Sequence, residues 1–232
     1  MTEIVLVTGP LVGTCTWEPT ASVLRSAGHD VQIPDVLGSP PTPPAWRDWP
    51  DHLLRLLQPC TAPVLIGHSA ATVLTVALCA RMPVRGVILV DGDIPPASGR
   101  AGWGNERQVD FVRSQTDAEG WVRRWNEWQV APQLKETLGA TALERRPELL
   151  QTFLAQLPRL RFEWFLDAID LAPWDTVPAG YVLTSAYYAR AADEAERRGW
   201  PVTRLAGTHL QPMLEPAQTA AAITTVLDRL NQ

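Results

Sequence analysis

The feature that most constrains how this chain folds is a rhythm. Short apolar or β-branched runs, each bounded by turn residues, alternate with segments of helical spacing. Ile4 to Thr8 predicts a first strand and opens into the loop Gly9-Pro10-Leu11-Val12-Gly13. Trp17 to Ala27 predicts a helix, with Gly28 where a closing glycine belongs. Asp30 to Asp35 reads as a second strand, followed by the proline-heavy stretch Ser39 to Pro44, where regular structure is not expected. A leucine-rich helix over Asp51 to Gln58 precedes a third strand, Pro63 to Ile66. Ala70 to Arg81 is the most apolar helical segment, and Arg85 to Val90 is a fourth strand ending at Asp91-Gly92-Asp93.

From Pro95 to about Asp175 the strand rhythm stops, and tryptophans stud amphipathic helical stretches with no convincing strand. It resumes with strands at Gly180 to Ser185 and Val202 to Leu205 and helices at Ala189 to Arg198 and Pro216 to Leu230. Near-continuous apolar strands suit a parallel sheet buried on both faces. The expected fold class is therefore α/β, a doubly wound and mostly parallel sheet with an inserted helical cap. Residues 1–94 and 176–232 form the core and 95–175 the insertion. Ligands on such sheets bind beyond the carboxyl ends of the strands.

Composition narrows the partners. The 232 residues, 46% hydrophobic and 19% charged, suit one globular domain. A formal charge of -5 removes the phosphate-neutralising field that nucleic-acid binding needs, and a single lysine argues against a polybasic membrane patch. Cys15, Cys60 and Cys79 lack metal-site spacing and read as reduced thiols, so no metal is expected. Met1-Thr2-Glu3 passes straight into the first strand without a basic n-region, and the apolar stretch Val73 to Ala80 is far short of a membrane span. These features predict a cytoplasmic protein, monomeric or homodimeric, acting on a small molecule without nucleic acid or membrane.

Gly67-His68-Ser69-Ala70-Ala71 lies between the third strand and the apolar helix. A serine on so sharp a strand-to-helix turn has its Oγ pushed out beyond the sheet edge, and small neighbours let the backbone cross without collision. The helix directs its N-terminal dipole at the same point, where the Ala70 N–H can meet an oxyanion. A plainer account is a serine capping an ordinary strand–helix connection; the buried strand before it and the apolar helix after it favour the nucleophile. Of the four histidines, His29 sits at a helix-to-strand turn, His52 lies on the wrong side of the sheet, and His68 is adjacent to the serine and suited to packing or a backbone bond. His209, in Gly207-Thr208-His209 after the last strand, reaches the carboxyl edge and is the candidate base.

The order strand, Gly67-His68-Ser69-Ala70-Ala71, helix, then Gly-Thr-His209-Leu-Gln-Pro-Met-Leu-Glu-Pro resembles the α/β-hydrolase superfamily, in particular its small capped esterase and hydroxynitrile-lyase-like branch. Leu6-Val7-Thr8-Gly9-Pro10 with Trp17-Glu18-Pro19 is similar to that branch's oxyanion-loop segment. The resemblance implies Ser69 as nucleophile, His209 as general base and no cofactor. Three departures stand out. The elbow ends in Ala71 rather than glycine. Thr8 replaces the usual histidine, and Pro10 has no N–H at the position of a normal oxyanion donor, leaving Leu11 or Val12 to substitute if the loop is shaped differently. Most members place the acid after the next-to-last strand, where this chain reads Thr184-Ser185-Ala186-Tyr187-Tyr188. Some lipases of the superfamily carry it one strand earlier, which here is Asp91, with Asp93 as the alternative and a Ser–His dyad as the remaining possibility.

Aromatic residues of the insertion and its flank, Trp128, Trp164 and Tyr187, are expected to line an apolar or aromatic substrate pocket. Arg159 and Arg161 are candidate polar contacts. Three functions fit: hydrolysis of an ester, lactone or thioester; a lyase, cyclase or acyl-transferase reaction; and a catalytically silent small-molecule receptor.

Overall fold

The structure, a computed structural model, describes residues 1–39 and 45–230, so most of the proline-heavy stretch lies outside the described residues. Strands β1 (Glu3–Val7), β2 (Asp30–Gln32), β3 (Val64–His68) and β4 (Gly86–Val90) are joined by helices α1 (Glu18–Ser26), α2 (Trp49–Leu56) and α3 (Ala71–Leu78). β5 (Gly99–Gly102) and β6 (Ala168–Leu171) bracket α4 (Glu106–Ser114), α5 (Pro132–Leu138), α6 (Ala140–Glu144) and α7 (Pro147–Ala155). β7 (Ala179–Leu183), α8 (Ala189–Arg197), β8 (Val202–Arg204), α9 (Gln211–Leu214) and α10 (Pro216–Leu230) complete the chain. None of the described helices is long and apolar enough to cross a membrane.

The main sheet runs β2-β1-β3-β4-β7-β8, with every pair parallel. Its pleat sorts the apolar runs onto two faces. Val5, Val7, Leu65, Val87 and Leu89 face Leu53 of α2, Leu74 of α3 and Ala192 of α8. Ile4, Leu6, Ile66, Ile88 and Val182 face Leu24 of α1 and Ile223 and Val226 of α10. Both faces are therefore covered, which is why these strands show no polar alternation. The strand order reverses between β1 and β3, opening a crevice at their carboxyl ends where the loops carrying Gly9 and Ser69 meet.

Two expectations need correction. The insertion is not purely helical: β5 and β6 pair antiparallel at its base, Ala101 against Ile169, and isolated bridges join Thr116 to Val122 and Trp121 to Arg161. Gly99-Arg100-Ala101-Gly102 contains no β-branched residue, so it reads as a loop until its partner strand is beside it. The second strand stops at Gln32 rather than Asp35. A third apolar cluster, Val12 and Cys15 with Leu143, Phe153, Leu210 and Met213, joins the insertion to the loops after β1 and β8.

Candidate active site

Ser69 has φ 59°, a left-handed conformation that a side-chain-bearing residue adopts only when its surroundings force it. Those surroundings are visible. Its N–H donates to Val90 O at 3.0 Å, tying the turn to the end of β4. A Cβ on Gly67 would meet Thr75 Oγ1 at 1.9 Å, so only glycine lets the strand end pass under α3. Gly92 answers it from the next loop, where a Cβ would meet the Ser69 carbonyl at 2.3 Å. Ala71 is wholly buried in the helix and fits without strain, so the missing second glycine costs this elbow nothing visible.

His209 lies after β8 on a loop held by the insertion: its N–H donates to Thr137 O at 2.9 Å and the Leu210 N–H to Leu138 O at 3.1 Å. Its Nδ1 donates to Asp91 Oδ2 at 2.7 Å, which leaves Nε2 as the basic nitrogen. The structure thus brings Asp91 to His209. Asp93, two residues on, lines a cavity beside Ser69, and crowding by protein pushes its pKa up.

Asp91 is fully buried, in the left-handed region at φ 46°, and accepts three further hydrogen bonds. The Thr184 and Ser185 N–H groups donate to Oδ1 at 2.8 and 2.7 Å, and the Ser185 hydroxyl to Oδ2 at 2.6 Å. Burial alone would raise its pKa, but the bonds from His209 and Ser185 outweigh it and hold the carboxyl below the usual range. Tyr181 steadies the turn by donating to Gly92 O at 2.7 Å and accepting from the Gly92 N–H at 3.2 Å. The loop after β7 has no carboxylate, but its donors reach the one on the neighbouring strand. Sequence reasoning missed Ser185 and Tyr181; the absence of an acid at 184–188 was the available signal.

His68 is buried, and its Nε2 donates to the His209 carbonyl at 2.9 Å, the backbone bond its position suggested. Its ring stacks on His209 at 4.4 Å and meets the edge of Trp17 at 5.9 Å. Burial, then the nearby His209, lowers its pKa to about 3, so it stays neutral. The Trp17 indole also donates to Val7 O at 3.1 Å, fixing the start of the loop opposite Ser69.

That loop forms a turn in which the Val12 N–H reaches Gly9 O at 3.4 Å, with Pro10 at a position proline favours. Among the described residues the N–H groups of Ala70 and Leu11 donate to no protein acceptor. No hydrogen bond joins the Ser69 hydroxyl to His209 among the described residues; Tyr188 lies beside both. That phenol's ring lies 5.6 Å from the His209 ring, and its hydroxyl sits against the Ser69 side chain.

Ser69 opens onto a cavity of about 540 Å³ whose wall includes Asp93, Arg100, Trp103, Tyr188 and Arg190. None of the three expected aromatics lines it. Trp164 is buried in a tryptophan cluster, 4.8 Å from Trp46 and 5.2 Å from Trp49. Trp128 lines a separate cavity of about 350 Å³ within the insertion, its indole donating to Arg123 O at 2.8 Å. Tyr187 is 48% exposed, because the tight helical turn Ala186–Tyr188 points it outward and its successor inward. Arg159 pairs with Asp117 and Arg161 with Glu163, both guanidinium groups over Trp121 and away from this cavity.

The sheet order, the strained turn after β3 and the insertion between β4 and β7 together define an α/β-hydrolase fold. A family profile described as the alpha/beta hydrolase family matches residues 4–222, and the chain belongs to that family. Among solved structures it is similar to an extracellular α/β-hydrolase from a Paenibacillus species, at 17% identity over 97% of this chain and 99% of that one, with a TM-score of 0.73. It is similar also to a point mutant of tomato methylketone synthase I, at 16% identity over 99% and 98% of the two chains, TM-score 0.72. Polyneuridine aldehyde esterase matches at 16% identity over 99% of each chain, TM-score 0.67. No curated protein sequence matches significantly.

Proposed function

We propose that this protein is a serine hydrolase that cleaves an ester, lactone or thioester of a small molecule through Ser69, His209 and Asp91. The observation that carries the reading is the pairing of His209 Nδ1 with buried Asp91, beside a serine held on a strained elbow. In the reacting complex the Ser69 hydroxyl bonds to His209 Nε2; catalytic hydrogen bonds of this kind often close only when substrate is bound. Ser69 Oγ then adds to the carbonyl carbon and His209 takes its proton. The carbonyl–oxygen or carbonyl–sulfur bond breaks, and the departing alcohol or thiol receives that proton. Water, activated by His209, hydrolyses the acyl-enzyme. Asp91 orients the imidazole and stabilises its charged form. The cavity volume suits a small molecule. Trp103 offers it an apolar wall, while the charged side chains of Arg100, Arg190, Asp93 and Glu194 favour a substrate with a polar tail over a wholly apolar one. Free thiols throughout are consistent with a cytoplasmic site of action.

The test is Ser69→Ala, which should abolish turnover of p-nitrophenyl acetate and labelling by a fluorophosphonate; undiminished turnover refutes the assignment. Pro10 favours a second reading, a lyase, cyclase or acyl transferase needing less oxyanion stabilisation. Solved relatives bearing both esterase and synthase names are compatible with either. An acyl-enzyme on Ser69 that turns over with water, seen by mass spectrometry, decides for hydrolysis.

A further inference from the structure

The loop after β1 lacks one donor, because Pro10 carries no N–H where the resembled branch supplies one. We propose that the Tyr188 hydroxyl takes its place and donates a hydrogen bond to the oxyanion formed when Ser69 attacks a carbonyl. This rests on the hydrolase reading above.

The two buried tyrosines of this region are used differently. Tyr181 is a structural phenol: its hydroxyl is satisfied on both sides by Gly92. Tyr188 is only 8% exposed, yet among the described residues its hydroxyl bonds to no backbone carbonyl and no carboxylate. It lies on the wall of the Ser69 cavity, with its oxygen against the Ser69 side chain. A donor in contact with the nucleophile is also within reach of an oxygen bonded to the carbon that nucleophile attacks. The ring is positioned by its packing beside His209, so little reorganisation is needed as charge develops. Burial first, then the charge of Asp93, pushes the phenol's pKa up, so it remains protonated and able to donate. The backbone places it too. One end of the segment after β7 gives Thr184 and Ser185 to Asp91, and the turn that follows aims Tyr188 into the cavity. With the acid supplied from β4, this loop serves the acid at one end and the reacting carbonyl at the other.

The experiment compares native protein, Tyr188→Phe, Pro10→Ala and the double variant, measuring p-nitrophenyl ester turnover and the rate of fluorophosphonate labelling at Ser69. Tyr188→Phe keeps the ring and its packing. It should lower kcat by roughly 10²–10³-fold with KM little changed, and slow labelling in parallel. Pro10→Ala restores a backbone N–H and should speed the Tyr188→Phe enzyme by a larger factor than the native one, recovering much of that loss, a non-additivity that a merely structural role for Tyr188 does not predict. A Tyr188→Phe enzyme as fast as the native one, or a double variant no faster than Tyr188→Phe, overturns the inference while leaving the hydrolase reading intact. Native protein that neither turns over esters nor labels at Ser69 overturns both.

Discussion

His68 makes a sharp prediction about pH, because it is a buried imidazole that must stay neutral. It is 2% exposed, and its Nε2–H is committed to the His209 carbonyl. In the unfolded chain it titrates near 6.5, whereas in the folded protein burial and then the proximity of His209 lower it to about 3. The unfolded state therefore binds a proton that the folded state refuses. The stability this residue contributes is complete above pH 6.5 and is lost progressively as pH falls toward 3. At pH 5 the loss attributable to this one site is about 2 kcal/mol. His68→Gln removes the titration while its side-chain amide can still donate to the same carbonyl. Urea unfolding at about pH 7.5 and about pH 5 measures the difference, and the native protein should lose about 2 kcal/mol more than the variant. Equal losses in the two proteins would refute the argument, since the remaining titrating groups are common to both.

Other outcomes follow from the same geometry. Asp91→Asn should lower kcat by roughly 10⁴-fold by reversing the hydrogen-bond role offered to His209, whereas Asp93→Asn should retain most activity; the opposite ranking in ester hydrolysis would make Asp93 the acid. Because the Asp91 carboxyl is held below 3.8, its stabilising share is full above that pH and lost below it, so acid unfolding of native protein should take up a proton there that Asp91→Asn does not. Ser185→Ala strips a donor from a buried carboxylate and should cost about 1.5–3 kcal/mol in urea unfolding. Gly92→Ala would put a Cβ 2.3 Å from the Ser69 carbonyl and 2.7 Å from Thr72 Cγ2; it should destabilise by at least about 1–3 kcal/mol, and an unchanged melting temperature would contradict that close approach.

Much of this was readable in the chain because the signals are local. The runs Ile4–Val7, Val64–Ile66 and Val87–Val90 are apolar without interruption, and that pattern arises when a strand has no solvent face. The turn around Ser69 was equally readable, since small residues on both sides of a serine, between a buried strand and an apolar helix, specify the crossing whatever lies elsewhere. Where the signal was only compositional, the reading was less exact. Most tryptophans of the insertion read as core and Trp128 and Trp164 as ligand-facing, but an indole is as well served by a dry core, and Trp164 is packed against Trp46 and Trp49.

The amino-acid order by itself determined the parallel sheet, the elbow and the residue types available for chemistry. Only the tertiary structure shows that Asp91 rather than Asp93 meets His209, and that Tyr188 rather than the expected Tyr187 lines the cavity beside Ser69. In each case the competitors are one or two positions apart and locally alike. What separates them is which way the backbone turns at the end of a strand, and that is set by partners distant in the chain. The Thr184 and Ser185 amides fix Asp91 from 93 and 94 residues away, and His209 reaches it across 118. A carboxylate finds its partners by position in space, and sequence proximity carries no record of that.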